Sequence, residues 1–313
     1  MILAITMNPA IDKIYFVPQY TLGEVHRPHQ MIASPGGKGL NVARVAKLMG
    51  EDVTASGLLG GGNGNFIREK IKDLGLIDGF LEISGETRIC INVTNPENDL
   101  CTEVLEPGPI ITEAEASQYL VVFTSLVQYA DVVTLSGSLP NGLMDNYYQQ
   151  LITLAKEAGK KVLLDSSGTA FLNGLKAKPT LVKPNDDEIK SVYTEELKTR
   201  QDYIQAIHKF KALGIEWPVI SRGKVGAIVG LTEGIFEVKP PVVRVVNSVG
   251  SGDSFIAGCA VGISRGLSEV DWIRMGAACG TANTQYAQTG FVERETVEKY
   301  FKQITVEQIA SYE

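Results

Sequence analysis

The chain has 313 residues, of which 44% are hydrophobic and 32 are glycine, and its formal charge is -7. It is long enough to bury a large core, in one large α/β domain or in two smaller ones. The acidic balance argues against a nucleic-acid-binding protein, which usually presents a basic face, and an anionic ligand would need a local cluster of cations.

Cysteine and histidine usage argues against disulfides and zinc. There is no Cys-x-x-Cys spacing, and no histidine stands at ligand spacing from a cysteine, so we expect reduced, mostly buried thiols at Cys90, Cys101, Cys259 and Cys279. Residues 1–17 lack the basic region of a signal peptide, and no apolar run reaches transmembrane length. The sequence therefore predicts a cytoplasmic protein that binds neither nucleic acid nor membrane.

Short β-branched runs alternate with helical patterns along most of the chain. Buried strands are predicted at 2–6, 132–135, 162–164, 180–182 and 218–220. Helices are predicted at 40–49, 112–129, 143–158, 201–213, 251–265 and 270–286. This alternation indicates a largely parallel sheet covered on both faces, with ligands at the carboxyl ends of its strands.

Two segments, 13–34 and 86–106, read as strands without intervening helices. We expect them to form a small antiparallel sheet beside the main one, as a lid or an interface. The sequence has no repeat and no Pro/Ser-rich linker, which favours one domain over 1–313.

The common nucleotide motifs are absent. Gly37-Lys38 is followed by Gly39 where a P-loop needs Ser or Thr, and Gly250-Ser251-Gly252 continues to Phe255 where a dinucleotide fingerprint needs Gly. Neither a P-loop enzyme nor a dinucleotide-dependent dehydrogenase is supported.

The stretch 249–254, Val-Gly-Ser-Gly-Asp-Ser, precedes an apolar helical pattern. A helix start binds anions through its unpaired N–H groups and the positive end of the helix dipole. Asp253 would repel such an anion, but it would serve to take a proton from an attacking hydroxyl. An aspartate in the first turn of an ordinary capped helix is the alternative.

A second glycine-rich helix start lies at 35–41, where Lys38 and Asn41 accompany three glycines. Its backbone would approach a polar ligand closely, and the Asn41 amide can both donate and accept. The alternative is a tight turn that needs a positive φ at Gly36 or Gly39.

Other polar residues follow predicted strands or lie in the two separate segments. Asp12 and Ser138 are placed to meet hydroxyl groups, although each is also a common turn residue. Arg27 and Arg88 would clamp a phosphate, or else be exposed arginines. In Lys183-Pro184-Asn185, followed by Glu188, the amide and the carboxylate would hold hydrated Mg²⁺ or form a capping box.

Taken together, these motifs resemble those of the ribokinase-like (PfkB) carbohydrate kinases. The segment 36–43 is similar to the first family signature and 249–254 to the second, with 8–12, 136–140 and 183–188 in the expected order between them. The resemblance covers essentially the whole chain. It implies a three-layer αβα fold with a mostly parallel central sheet and a small β-sheet lid.

The resemblance also implies roles for individual residues. Asp253 would be the catalytic base, with the N–H groups of Gly250, Ser251 and Gly252 stabilising the transferred phosphoryl group. The sugar phosphate would be bound by Asp12, Arg27, Gly37, Lys38, Asn41, Arg88 and Ser138. ATP would be bound around Lys183, Asn185, Ser221, Gly223, Gly226 and Asn283. Asn185 and Glu188 would organise Mg²⁺ through water.

Within the family, the Gly-Gly-Lys-Gly-Leu-Asn variant at 36–41 and Gly-Glu-Thr-Arg at 85–88 are similar to the hexose-phosphate branch. This similarity implies ATP-dependent phosphorylation of a ketohexose monophosphate, with tagatose 6-phosphate preferred over fructose 1-phosphate, and a homodimer formed through the lid. Asn247 replaces the usual aspartate of the second signature, which puts a monovalent-cation site in doubt. A free-sugar or nucleoside kinase and a non-catalytic sugar-phosphate sensor remain alternatives.

Overall fold

The computed structural model describes residues 1–18, 20–95, 100–193 and 197–312, with the side chain of Leu100 left aside. The strands are β1 (Ile2–Thr6), β2 (Ala10–Phe16), β3 (Gln30–Gly36), β4 (Val53–Leu59), β5 (Ile77–Asp78), β6 (Leu81–Glu82), β7 (Arg88–Asn95), β8 (Leu100–Leu105), β9 (Val132–Ser136), β10 (Lys161–Asp165), β11 (Leu181–Val182), β12 (Trp217–Ser221), β13 (Ala227–Gly230), β14 (Ile235–Lys239) and β15 (Thr305–Ala310). The helices are α1 (Lys38–Leu48), α2 (Gly61–Asp73), α3 (Glu113–Val127), α4 (Tyr147–Glu157), α5 (Gly168–Lys176), α6 (Arg200–Ala212), α7 (Ser251–Ser264), α8 (Glu269–Asn283) and α9 (Arg294–Phe301).

The large sheet has 11 strands in the order β15-β14-β13-β12-β11-β10-β9-β1-β4-β5, with β6 also paired to β4. The strands from β12 to β5 run parallel, whereas β13, β14 and β15 add an antiparallel edge. Parallel strands need crossover helices that cover both faces, which explains the alternation in the sequence. The predicted fold class is confirmed.

Two hydrophobic cores lie on opposite faces of this sheet, and β1 contributes to both. Ile2 and Ala4 pack with α1, α2, α7, α8 and α9, whereas Leu3 and Ile5 pack with α3, α4, α5 and α6. Successive side chains of a strand point to opposite faces, so a strand buried on both sides is apolar throughout. The result is the three-layer arrangement expected from the sequence.

The six predicted helices are all present, with ends that differ by a few residues; α4, for example, begins at Tyr147 and not at 143. Helix α2 was not predicted, because its first turn is rich in glycine and hides the helical pattern. Its start is held from outside: the Glu86 carboxylate accepts hydrogen bonds from the N–H groups of Gly62 (3.3 Å) and Asn63 (2.6 Å).

A separate four-stranded sheet has the order β3-β2-β7-β8 and is built from both segments that lack helices. The expectation of a wholly antiparallel sheet was wrong, because its central pair, β2 and β7, is parallel. The chain leaves β2 through β3 and returns only after α1, β4 and α2, so a crossover connects the two strands. We call this sheet the lid sheet.

All four cysteines are free thiols, and only Cys101 is exposed. No helix in the described part of the chain combines the length and the apolar character that a membrane span requires.

Candidate active site

One cleft of about 1560 Å³ lies at the carboxyl ends of the parallel strands, between the large sheet and the lid sheet. The large sheet contributes the last residue of each central strand, or the residue after it: Thr6, Ser136, Asp165, Lys183 and Ser221. The lid sheet contributes side chains of one face, including Asp12, Ile14 and Asn92. Ligands of open α/β sheets bind at this edge.

The start of α7 forms one wall of the cleft. Gly250 is left-handed (φ 79°), and a Cβ there would lie 2.7 Å from the Thr289 Cγ2 atom, so only glycine fits. The predicted set of N–H donors needs correction, because the Ser251 N–H already donates to the Ser248 carbonyl at 3.2 Å. Within the described residues, the N–H groups of Gly252 and Asp253 have no backbone acceptor and remain for an anion.

Asp253 is 7% exposed, and its Oδ2 accepts a hydrogen bond of 2.8 Å from the Asn41 Nδ2. Burial raises the pKa of Asp253 to about 6, and the nearby Asp165 carboxylate adds to the shift. The charges of Lys38 and Lys183 and the bond from Asn41 act in the opposite direction. A buried carboxylate that is still ionised at neutral pH suits a general base.

Asp165, which the sequence analysis missed, lies beside two lysines at the centre of the cleft. Its Oδ1 is 3.3 Å from the Lys183 Nζ and 3.5 Å from the Lys38 Nζ, which is also 3.5 Å from the Glu188 Oε1. Burial opposes ionisation of Asp165, but the two lysines outweigh it and lower its pKa, and Asp165 in turn raises the pKa of Lys38. Its position directly after a predicted strand was the available signal.

The first glycine-rich loop brings α1 against the end of β1. The positive φ lies at Gly37 (104°), and not at Gly36 or Gly39, where the tight-turn alternative placed it. A Cβ at Gly37 would lie 2.8 Å from the Thr6 Cγ2, and one at Gly36 would overlap the Asp12 carboxylate. Because Gly36 has no side chain, the Asp12 carboxylate can lie directly against the backbone of this loop. Burial raises the pKa of Asp12 to about 6, although Arg44 and Arg88 act against this shift.

Ser138 also lines the cleft, and its Oγ accepts a hydrogen bond of 3.4 Å from the Asn8 Nδ2. Arg88 lines it as well, but its two Nη atoms already donate to the carbonyls of Glu106 (2.9 Å) and Asn8 (3.0 Å). The Arg88 Nε is buried without a hydrogen-bond acceptor among the described residues. A phosphate would meet an arginine that the backbone holds in place.

Arg27 differs from Arg88. It is exposed on the connection between β2 and β3 and does not line the cleft of the single chain. The expected clamp of two arginines therefore reduces to one within the described residues.

Arg44, which the sequence analysis did not identify, lines the cleft although it is only 4% exposed. Its Nη1 donates to the Asn41 Oδ1 at 3.2 Å and to the Thr289 carbonyl at 2.9 Å, and its Nη2 donates to the Pro35 carbonyl at 2.6 Å. Burial lowers the pKa of Arg44, whereas the carboxylates of Asp12 and Asp253 act to raise it.

The capping alternative for Asn185 and Glu188 is present in the structure. The Asn185 Oδ1 accepts hydrogen bonds from the N–H groups of Asp187 (2.9 Å) and Glu188 (2.8 Å), and the Asn185 N–H donates to the Glu188 Oε2 (3.0 Å). The Glu188 Oε1 faces Lys38 in the cleft. No group of three or more His, Cys, Asp or Glu side chains in the described ranges has the arrangement of a protein-only metal site.

Three of the predicted nucleotide-site residues, Ser221, Gly223 and Gly226, line the cleft beyond Lys183. Asn283 does not, and this prediction is corrected: its side chain is fully buried behind the start of α7. Its Nδ2 donates to the Val249 carbonyl (2.9 Å), and its Oδ1 accepts from the Gly290 N–H (2.9 Å) and the Ser254 hydroxyl (3.1 Å). Asn283 therefore supports the loop before α7 from the side away from the cleft.

Comparisons with known proteins agree with this geometry. The sequence pattern of the family described as "pfkB family carbohydrate kinase" matches residues 5–296. A tagatose-6-phosphate kinase from Staphylococcus epidermidis is 38% identical over 309 residues, which cover 98% of this chain and 99% of the relative.

Solved structures are similar over nearly the whole chain. Phosphofructokinase-2 from Escherichia coli in complex with fructose-6-phosphate is 26% identical with a TM-score of 0.88, covering 96% of this chain and 98% of that one. A possible 1-phosphofructokinase from Thermotoga maritima is 26% identical with a TM-score of 0.89, covering 99% of each chain.

Proposed function

This chain belongs to the pfkB family of carbohydrate kinases, and from that membership we propose that it phosphorylates tagatose 6-phosphate to tagatose 1,6-bisphosphate with ATP. The observation that carries the reaction type is a buried carboxylate, Asp253, beside the open N–H groups of a helix start. The free sugar hydroxyl attacks the γ-phosphorus, its proton passes to Asp253, and ADP leaves with the electrons of the broken P–O bond. Positioning and charge stabilisation supply most of the catalysis in such a transfer.

The sugar phosphate would lie between the lid sheet and α1. Asp12 offers a carboxylate to the sugar hydroxyls, while Ser138 and the backbone at Gly37 line the same space. Arg88, held by two carbonyls that accept one N–H from each Nη, offers its remaining N–H groups to the existing phosphate. Asn41 binds Asp253 directly, so its role is to orient the base as well as to meet the sugar.

The ATP phosphates would lie between the start of α7 and Lys183. A Cβ placed on Gly252 would be 3.4 Å from the Lys183 Nζ, so this lysine lies beside the N–H groups of the loop. The adenosine would extend along Ser221, Gly223 and Gly226, which continue the cleft. Lys38 is 39% exposed and lies close to Asp165 and Glu188. During the reaction its ammonium group would leave these carboxylates and bind the phosphoryl group that is transferred.

The oxygen atoms of Asn185 and Glu188 suit an Mg²⁺ ion that enters bound to ATP better than an ion bound by the protein alone. Glu188 keeps one carboxylate oxygen in the cleft, whereas both hydrogen bonds of the Asn185 Oδ1 are taken by backbone N–H groups. Mg²⁺ keeps several waters and often uses one or two carboxylates together with substrate phosphates. Glu188 would hold it directly or through water, and Asn185 through water; the ion would neutralise charge on the phosphates.

Phosphorylation of fructose 1-phosphate is the second candidate, favoured by the similarity to the possible 1-phosphofructokinase of Thermotoga maritima. A free-sugar or nucleoside kinase would have no use for a held arginine at position 88. ATP and sugar phosphates are metabolites of the cell interior, which supports the cytoplasmic location predicted from the sequence.

A homodimer through the lid sheet is part of the proposal. The lid sheet exposes apolar side chains on both faces: Met31 (50% exposed) and Val104 (58%) on the face away from the cleft, and Ile32 (42%) and Leu105 (60%) at the cleft. Exposed apolar patches of this kind mark protein interfaces. Sedimentation equilibrium should give a dimer mass that Met31→Glu shifts toward the monomer; a wild-type monomer at tens of micromolar would contradict this part.

The substrate is tested with a coupled ADP-release assay on tagatose 6-phosphate, fructose 1-phosphate, fructose 6-phosphate, free tagatose and adenosine. We expect the highest kcat/KM with tagatose 6-phosphate, no comparable turnover of the unphosphorylated compounds, and loss of activity with EDTA. Phosphorus NMR of the product identifies the hydroxyl that received the phosphoryl group. Turnover of none of the sugar phosphates would refute the proposed function.

A further inference from the structure

We infer that Arg44 is a positioning residue that fixes the side-chain amide of Asn41 so that its N–H, and not its carbonyl, faces Asp253. This inference rests on the proposed role of Asp253 as the base. It concerns a residue that binds neither the phosphate nor the nucleotide in the proposed reaction.

The hydrogen-bond chemistry of the three side chains allows one arrangement. A guanidinium only donates, so the Asn41 oxygen must face the Arg44 Nη1 at 3.2 Å. The Asn41 Nδ2 then points the other way and donates to the Asp253 Oδ2 at 2.8 Å. Asn41 and Arg44 are three residues apart on α1 and therefore lie side by side on one face of the helix.

Arg44 is itself held firmly enough to impose this orientation. It donates hydrogen bonds to two backbone carbonyls. One belongs to Pro35, near the end of β3 in the lid sheet, and the other to Thr289, which lies beside Gly250. The side chain is 4% exposed, so water does not compete for these bonds. Arg44 thus connects the lid sheet, α1 and the loop that packs on Gly250.

Without the guanidinium, the Asn41 amide is free to rotate by half a turn. Its oxygen would then meet the Asp253 carboxylate, which favours the protonated form of Asp253. The other charged groups that face Asp253 are Lys38 on α1, Asp165 at the end of β10 and Lys183 after β11, and none of them contacts the Asn41 amide. Arg44 also interacts directly with the Asp253 charge, so the loss of its positive charge and the loss of the Asn41 orientation both act to raise the pKa of Asp253.

The test measures the Asp253 titration directly. Carbon-13 NMR of aspartate carboxyl groups in the ligand-free protein gives its pKa, with the signal assigned by its absence in Asp253→Asn. Arg44→Met should raise this pKa by about one unit, because a donated hydrogen bond is lost and an oxygen faces the carboxylate. Arg44→Lys, which can still donate to the Asn41 oxygen, should restore part of the shift.

Steady-state kinetics provide the second readout. Arg44→Met should move the acidic limb of the kcat profile upward by about one pH unit, which lowers kcat about 2-fold at pH 7 and about 10-fold near pH 5, with a smaller change in KM. Arg265→Met is the matched control: Arg265 joins the other end of α7 to the end of α1, through the Met49 carbonyl (2.6 Å) and Glu51 (2.7 Å). It should lower the melting temperature and leave the limb in place.

An unchanged pKa of Asp253 in Arg44→Met overturns the inference, even if kcat falls because the protein is less stable. If Arg44→Met does not fold, Arg44→Leu, which likewise cannot donate to the Asn41 oxygen, takes its place, and a pKa of Asp253 equal to that of wild type overturns the inference likewise. The NMR titration needs no substrate. Failure of the proposed function, seen as no turnover by wild type, is therefore distinct from failure of this inference.

Discussion

The cleft is bounded by two regions that hold their carboxylates differently. Asp253 belongs to the central α/β layers: it is buried, receives a hydrogen bond from Asn41, and starts a helix whose preceding loop is supported by Asn283 from the side away from the cleft. Asp12 belongs to the lid sheet, where apolar side chains remain exposed and the carboxylate lies against Gly36. In one chain the core is covered, whereas the lid sheet leaves apolar side chains exposed.

From this difference we propose that the core carries the catalytic groups and that the lid sheet selects the substrate. Groups that move a proton and stabilise a phosphoryl group need fixed geometry, which a closely packed core provides. Groups that select a substrate can lie on a sheet that moves when the cleft closes and excludes water. We therefore expect changes in the core to alter kcat or stability, and changes in the lid sheet to alter KM or assembly.

The largest expected effect contrasts two core carboxylates. Asp165→Asn leaves the buried Lys183 without its counter-charge and should lower the free energy of unfolding by about 3–5 kcal/mol. Asp253→Asn should do the opposite. The folded state raises the pKa of Asp253 to about 6, so its ionised form destabilises the protein above that pH, and the neutral amide removes a penalty on the order of 1–3 kcal/mol.

Urea unfolding checks this contrast. The advantage of Asp253→Asn should be fully present above pH 6 and should vanish as the pH falls toward the ordinary value of an aspartate, near 4. Equal effects of the two substitutions would show that both carboxylates have the same environment, and the contrast between them would then be wrong.

The second prediction concerns the start of α7. Gly250→Ala should lower kcat at least about 100-fold, because the residue is left-handed and the new methyl group would press on Thr289 and the Gly290 N–H, displacing the N–H groups of the loop. Gly62→Ala is the matched control: it also lies in the first turn of a helix, but in open space. Steady-state kinetics of both variants measure the difference, and equal kcat values would contradict the assigned role.

The third prediction moves to the lid sheet. Arg88→Ala should raise KM for tagatose 6-phosphate about 10- to 100-fold, since a charge-assisted contact to the phosphate is lost, with a smaller effect on kcat. Arg68→Ala, which removes a surface arginine paired with Asp78 and Glu82, serves as the control. If Arg88→Ala leaves KM unchanged, the phosphate is bound elsewhere.

The fourth prediction uses pH to compare both regions in one experiment. Asp12 and Asp253 both have a pKa of about 6 and both must be ionised, so activity should fall as the pH decreases through that value. The logarithm of kcat/KM should fall with a slope approaching about 2 in wild type and about 1 in Asp12→Asn. An identical slope in the two proteins would mean that Asp12 does not titrate in this range.

Much of this arrangement was predictable because it follows from periodicity and from strand ends. Apolar runs identified β1 and β9, and the rule that ligands bind at carboxyl ends placed Ser138 and Lys183 on the cleft, whereas Asp12 reaches the cleft from within β2 of the lid sheet. The same rule applied to β10 would have found Asp165.

The remaining features depend on contacts that are distant in sequence. Arg44 stands in the middle of a helical pattern, and its partner Thr289 is 245 residues away, so nothing local indicates its role. Asn283 was assigned to the nucleotide from the family resemblance, which does not tell on which side of the loop its amide lies. The parallel pairing of β2 with β7 likewise depends on the crossover through α1, β4 and α2.

The central claim is that Asp253 takes the proton of the attacking hydroxyl. It is tested most directly by measuring kcat of Asp253→Asn with tagatose 6-phosphate and ATP, together with the Kd of the sugar phosphate by calorimetry. We expect kcat to fall about 10²- to 10⁴-fold while Kd changes by no more than a few fold, in a variant at least as stable as wild type. A kcat near that of wild type would contradict the mechanism.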